Sequence, residues 1–358
     1  NVTSQKGLIE MFDSTIGRST VLMPFGGMLQ STETQVSVQK LPTDGYTDTA
    51  SIMAFGYNPY IASWSPYHGA AYAVVEACSK VVAAGADYEK MRFSYQEYFE
   101  RMTDRKSWGK PLSALLGALK MQVEFGLPSI GGKDSMSGTF ENINVPPMLM
   151  AFGITTVDAE NVISPELKYE GNKLYLIKHT PLDNYMPDTE QLKANWKYVT
   201  EQIEAEKIVS GYALGFGGVA EAICKMSFGN GLDAKIEYDE KELFSYGYGS
   251  ILVEAEGELD YPNAILIGEV TDGEESELTI NGKTFDIFEL MAVNSGRFAQ
   301  VYPDTADAYN QKLVPAGLEG VKPYKAKKAD LKYKGEPVEK PIAYLPVFPG
   351  TNCDYDSA

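Results

Sequence analysis

Residues Gly131-Gly132-Lys133-Asp134-Ser135-Met136-Ser137 bring two glycines, a cation, an anion and two hydroxyls together in one short stretch. Glycine lets backbone amides come close to an anion, and a lysine beside them adds positive charge. An aspartate offers an oxygen ligand to magnesium, and a serine offers a hydroxyl. Phosphate or nucleotide binding is the chemistry that suits this set. It is not a Walker loop, because that motif ends Gly-Lys-Ser/Thr after a longer spacer, whereas Asp134 follows the lysine here. The same residues also read as a solvated turn whose charges face water.

The flanks define the elements that must position this stretch. Leu112, Leu115, Leu116, Leu119 and Val123 recur at i, i+3, i+4, i+7 and i+11, predicting a helix over 112–126 with a buried apolar stripe, ended by Gly126 and Pro128. Val145 to Thr156 predicts a strand, so residues 130–140 are expected as a surface loop between two buried elements. Upstream, Met91–Phe93 predicts a strand running into Ser94-Tyr95-Gln96-Glu97-Tyr98-Phe99, whose aromatics read as core.

Two other constellations carry weaker chemistry. Ser65 as N-cap and Pro66 in the first turn predict a helix to Gly85, and Glu76 and Lys80 lie at i and i+4 on it. A solvated ion pair is the expected reading of those two. Gly211 to Gly218 feeds a predicted helix over 219–228, stopped by Gly229 and Gly231. Glycines there can hold a phosphate, but no charge occurs between 211 and 218, which favours close packing.

Elsewhere the pattern predicts a short amphipathic helix over 1–17, a strand over 19–23 and a turn at Phe25-Gly26-Gly27. Strands follow around Val36 and Val38 and over 50–57, joined by the Pro-Thr-Asp-Gly turn at 42–45. Strands are expected at 174–177, 233–238, 249–255, 264–270 and 277–280, with helices over 189–207 (charged, on the surface) and 287–293. This is an α+β arrangement with antiparallel-looking strands. A polar stretch at 158–171 marks a boundary, giving an N-terminal sheet-and-helix domain (1–160) and a C-terminal domain (161–304). Charged residues 305–340 read as a linker, and 341–358 as a strand that stops short. With Asn-Val-Thr at its start, the chain reads as a piece excised from a longer polypeptide.

At 358 residues and 44% hydrophobic content the chain can bury two cores, at about 150 residues per domain. A net charge of -18, from 31 basic and 49 acidic residues, opposes nucleic acid and anionic membrane. Cys78, Cys224 and Cys353 form no Cys-x-x-Cys pair, which fits reduced thiols in the cytoplasm and argues against zinc.

Three motifs then converge. Ile-Gly-Gly-Lys-Asp-Ser-Met-Ser at 130–137, Gly-Phe-Gly-Gly-Val-Ala-Glu-Ala at 215–222 and Pro-Val-Phe-Pro-Gly-Thr-Asn-Cys-Asp-Tyr-Asp-Ser at 346–357 together resemble phosphoribosylformylglycinamidine synthase of the large single-chain type. The resemblance implies an aminoimidazole-ribonucleotide-synthetase-like fold, with an α/β sandwich as C-terminal domain. It identifies the chain as the family's second synthetase half followed by a stub of the glutaminase domain.

The family uses ATP and magnesium to activate the amide oxygen of formylglycinamide ribonucleotide, which ammonia from glutamine displaces. The partners implied are the first synthetase half and the glutaminase domain. By resemblance, Gly131, Gly132, Lys133 and Asp134 lie at ATP, Asp134 holds magnesium and Ser135 contacts substrate. Gln96 stands roughly where the family's Ser-Ala-Asn-Trp segment has asparagine.

The family's second half also holds an auxiliary magnesium nucleotide through two aspartates, a glutamate and an asparagine. Only Glu76 matches as a metal ligand; Gln35, Lys80 and Ala213 replace the others, so that site is expected to be empty. Cys353 reads as structural, because the family's nucleophile lies further along a glutaminase domain. The alternatives are a silent scaffold or a homodimer formed through its sheet, and a stand-alone relative such as aminoimidazole ribonucleotide synthetase.

Overall fold

A computed structural model describes residues 2–12, 14, 18–271, 273, 276–303, 339, 340, 342 and 344–347. The expected linker 305–340 and stub 341–358, Cys353 included, otherwise lie outside the described residues.

The N-terminal helix is a single turn, α1 (Lys6–Ile9), shorter than expected. The 19–23 segment is no full strand: Thr20 makes one bridge to Gln39. Phe25–Gly26 (β1) pairs with Thr32–Glu33 (β2), and the chain turns between them through Gly27 at φ +82°. After β3 (Ser37–Lys40) the turn ending at Gly45, φ +101°, leads into β4 (Thr49–Gly56), whose residues alternate buried and accessible.

Asn58 caps α2 (Pro59–Trp64), and Ser65 accepts the His68 amide to cap α3 (Pro66–Ala83); the left-handed Gly85 follows. Next come β5 (Arg92–Tyr98), α4 (Arg105–Phe125), β6 (Ser129–Lys133), the hairpin β7 (Thr139–Phe140) and β8 (Ile143–Asn144), and the long β9 (Met148–Asp158). They form a five-stranded sheet of order β3-β4-β9-β5-β6. β5 and β6 are parallel, against the antiparallel expectation.

In the second half, β10 (Lys173–Ile177), α5 (Thr189–Glu204), β11 (Ile208–Ala213), α6 (Gly218–Phe228), β12 (Ala234–Ile236), β13 (Ile251–Ala255), β14 (Ala264–Val270), β15 (Glu277–Ile280), β16 (Lys283–Asp286) and α7 (Ile287–Gly296) follow. Their sheet runs β11-β13-β10-β14-β12-β15-β16. Alternation sends Leu174 and Leu176 of β10 to a core under α6, and Tyr175 and Ile177 to the core shared with α3 and α5. The α5 helix is therefore more than a surface element: Leu192, Trp196, Val199 and Ile203 are buried.

Helix α3 lies between the two sheets, touching β4 and β9 on one side and β11 and β13 on the other. Its apolar residues surround it for that reason, and one core continues across the boundary stretch 158–171.

The second long helix departs from expectation. Asp104 and Ser107 form a capping box, so α4 begins at Arg105, and Gly126 ends it at φ +70° as expected. Its buried face is Ala114, Gly117, Ala118, Met121 and Phe125, whereas the leucine stripe expected inside is exposed. Small residues let α4 approach α3 closely: a Cβ on Gly117 would come within 2.0 Å of the Tyr67 carbonyl oxygen. Among the described residues no helix is long and apolar enough to cross a membrane.

Candidate functional site

Residues 129–133, expected as part of a turn, are the exposed edge strand β6, and only the residues after Lys133 form the loop. Gly131 pairs with Ser94, Gly132 with Tyr95 and Lys133 with Gln96. The glycines fit that position: a Cβ on Gly132 would meet the Tyr95 carbonyl oxygen at 2.5 Å, while Gly131 faces open space.

The Gln96 amide donates to the Lys133 carbonyl at 3.3 Å, and the Lys133 ammonium donates to the Asp134 carbonyl at 2.9 Å. Ser135 is clamped on both sides: its N–H donates to the Glu97 carbonyl at 3.1 Å and its carbonyl accepts the Phe99 amide at 2.9 Å. Its hydroxyl lies 3.0 Å from that of Ser137. The structure thus brings Gln96, Gly131, Gly132, Lys133, Asp134 and Ser135 together. The Asp134 carboxylate is exposed and takes no hydrogen bond or ion pair from the described residues.

Glu97 was missed. It follows Phe93 and Tyr95 in the buried register of β5, and its Oε1 has no hydrogen-bond partner. Burial and the charge of Asp134 push its carboxyl up to about 7. The sequence signal was available: an acid in the apolar register of an alternating strand.

Glu76 stands apart from this loop. It lines a cavity of about 780 Å³ with Glu33, Gln35, Lys80, Glu221 and Lys225. Lys80 Nζ lies 2.8 Å from Glu76 Oε1, the Tyr57 amide donates to Glu76 Oε2 at 2.9 Å, and Lys80 also donates to the Phe55 carbonyl at 2.9 Å. Both side chains are only 12–13% exposed, so the pair is not the solvated one expected. Gln35 reads the backbone of Ala213 with both ends of its amide, at 2.9 and 2.8 Å.

A second pairing, not anticipated, crosses the same cavity. Buried Lys225 lies 2.7 Å from Glu33 Oε2 and 2.9 Å from Glu221 Oε1. Burial disfavours its charge, but Tyr212, Glu33 and Glu221 outweigh that and raise its pKa. The i,i+4 spacing of Glu221 and Lys225 was legible; Glu33, far off in sequence, was not.

These residues do not fit a magnesium nucleotide. Glu76 has both oxygens engaged, and no group of three or more His, Cys, Asp or Glu among the described residues is arranged to hold a metal.

The 211–218 glycines serve packing. A Cβ on Gly211 would come within 2.6 Å of the Ala83 carbonyl oxygen, Gly218 has φ +63°, and the Gly217 amide at the start of α6 already donates to Glu221 at 2.9 Å.

No protein-family model matches the chain. Among curated proteins it is similar to phosphoribosylformylglycinamidine synthase subunit PurL of Staphylococcus carnosus, 28% identical over 311 residues, which cover 79% of this chain and 40% of that protein. The subunit PurL of Picrophilus torridus is 24% identical over 335 residues, covering 83% of this chain and 44% of that one. The chain thus spans well under half the length of these relatives.

Among solved structures, Thermotoga maritima PurL complexed with ADP superposes with a TM-score of 0.56 at 16% identity, over 78% of this chain and 48% of that one. AaThiL complexed with AMPPCP and TMP superposes at 0.51 with 14% identity, over 70% of this chain and 87% of that one. The fold is α+β and aminoimidazole-ribonucleotide-synthetase-like.

Proposed function

We propose that this chain is a synthetase half of an enzyme that converts formylglycinamide ribonucleotide, glutamine and ATP to formylglycinamidine ribonucleotide in purine biosynthesis. One observation carries the reading: the similarity to proteins named PurL extends over 79% of the chain and includes the loop whose acid is left unpaired at the sheet edge.

In this reading Gly131, Gly132, Lys133 and Gln96 lie at ATP, with the backbone amides and the Lys133 ammonium facing phosphate, and Ser135 meets the ribonucleotide. Asp134 would hold magnesium, which when bound would neutralise developing phosphoryl charge. Domain limits are 1–160 and 161–304. The finer assignment, a piece of the large single-chain, cytoplasmic type with 341–358 opening a glutaminase domain, rests on the 346–357 motif. It makes the chain inactive alone, completed by the other synthetase half.

The five-stranded sheet exposes Met53 and Ile154, an apolar surface suited to that half or to a second copy. It equally supports a scaffold role. The test is Asp134→Asn and Ser135→Ala in the parent polypeptide. Each should lower amidination about 10²-fold, on the order of 2–4 kcal/mol, with the fold intact. Unchanged kinetics in both would leave the scaffold.

A further inference from the structure

Six large apolar side chains form one outward stripe on α4: Trp108, Leu112, Leu115, Leu116, Leu119 and Val123, each 45–72% exposed. Single exposed apolar residues are ordinary, but a contiguous stripe along a helix marks an interaction surface. Trp108, Leu112, Leu115 and Leu119 follow each other at intervals of four, three and four residues, the seam spacing by which one helix packs on another. The sheet face invoked above cannot account for it, because α4 packs on α3, in the helix layer on the other side of that sheet.

Charge selects the occupant. In a chain of net charge -18, α4 carries Arg105, Lys106, Lys110 and Lys120 against Glu124 alone. Lys110 is taken by Glu100 at 2.6 Å, and Lys120 is paired with Glu124. Arg105, Lys106 and the preceding Arg101 are exposed and form no ion pair among the described residues. The stripe therefore has a basic end, three exposed cations against the single Asp104 carboxylate that caps the helix. A second copy of this chain is disfavoured as occupant by the repulsion of two chains of net charge -18.

We propose that the outer face of α4 docks an amphipathic helix of another polypeptide, with leucine-type residues along its seam and acidic residues meeting Arg101, Arg105 and Lys106. The apolar stripe supplies the contact, and the basic end sets orientation and association rate.

Two fluorescein-labelled, stapled helical peptides of heptad design test this, one with Leu at the seam and Glu flanking it, the other with Lys in place of Glu. Anisotropy with the whole chain should show saturable binding of the Glu peptide alone. Affinity should fall at least ~10-fold in Leu115→Asp/Leu119→Asp and, at low salt, in Arg105→Glu/Lys106→Glu. Both variants change exposed positions, and circular dichroism verifies folding. Failure of the folded chain to bind the Glu peptide, equal binding of both peptides, or binding indifferent to the substitutions overturns the proposal. So does a dimer in sedimentation that Leu115→Asp/Leu119→Asp dissolves, which would make a second copy the occupant.

Discussion

The loop after β6 and the cavity around Lys225 are built from the same residue types, carboxylates and lysines near glycines, yet they differ in how those charges are used. In the cavity each carboxylate meets a lysine of the same chain: Glu76 with Lys80, Glu33 and Glu221 with Lys225. At the loop the Lys133 ammonium turns to a backbone carbonyl and leaves Asp134 open. Charges that satisfy each other hold a fold together, whereas charges left unpaired at an accessible edge cost little there and remain available to a ligand.

The largest effect is expected where that internal pairing is deepest. Lys225→Met leaves Glu33 and Glu221 without their cation in a site where the lysine is 6% exposed. Removing one partner of such a group costs about 3–5 kcal/mol, read as a lower urea midpoint at unchanged slope. Adding Glu33→Gln and Glu221→Gln should restore much of it, because the cost is uncompensated charge rather than lost contact. A single variant as stable as the parent would show that the cavity is as open as the loop, and the contrast would fail.

On the loop side, Glu97 gives the next effect, of opposite sign. Its folded pKa of about 7 lies above the ordinary 4.5, so the folded state binds the proton more tightly than the unfolded chain does. The contribution of Glu97 to stability is therefore greatest in acid, declines as pH rises from about 4.5 to about 7, and is level above that. Glu97→Gln removes the penalty: it should abolish that slope and stabilise the protein at pH 8 by on the order of 2 kcal/mol. Parallel stability curves for the variant and its parent between pH 4 and 8 would place the carboxyl in water.

Local signals made much of this legible. Ser65, Pro66 and Gly85 delimit α3, and Gly126 ends α4, because capping depends on neighbours in sequence. Reading apolar spacing as burial failed on α4. The rule takes the largest side chains to face inward, but Ala114, Gly117 and Ala118 allow α3 a closer approach and leave the leucines outside. The glycines of β6 looked like a turn because their strand depends on pairing with β5, which a local pattern does not record. The grip of Lys225 on Glu33 spans both halves of the chain and had no local trace.

The smallest expected effect is a null. Magnesium with ADP, titrated into the chain in a calorimeter, should give no binding heat from the cavity up to about 1 mM, the range of a contact worth only about 4 kcal/mol. Magnesium needs several oxygen ligands and gives up its waters reluctantly, and the carboxylates lining the cavity, Glu33, Glu76 and Glu221, are each already paired with a lysine. Glu76 is held by Lys80 and the Tyr57 amide, and Gln35 is spent on both backbone groups of Ala213. To bind, the ion would have to displace a lysine that is only 12% exposed and has a second acceptor in the Phe55 carbonyl. The displaced ammonium would then stand beside the incoming metal, and like charges at that distance in a half-dry site repel strongly. A saturable magnesium-dependent heat that Glu76→Gln abolishes, or ADP retained through purification, would show that this pairing opens for a ligand and would erase the distinction between cavity and loop.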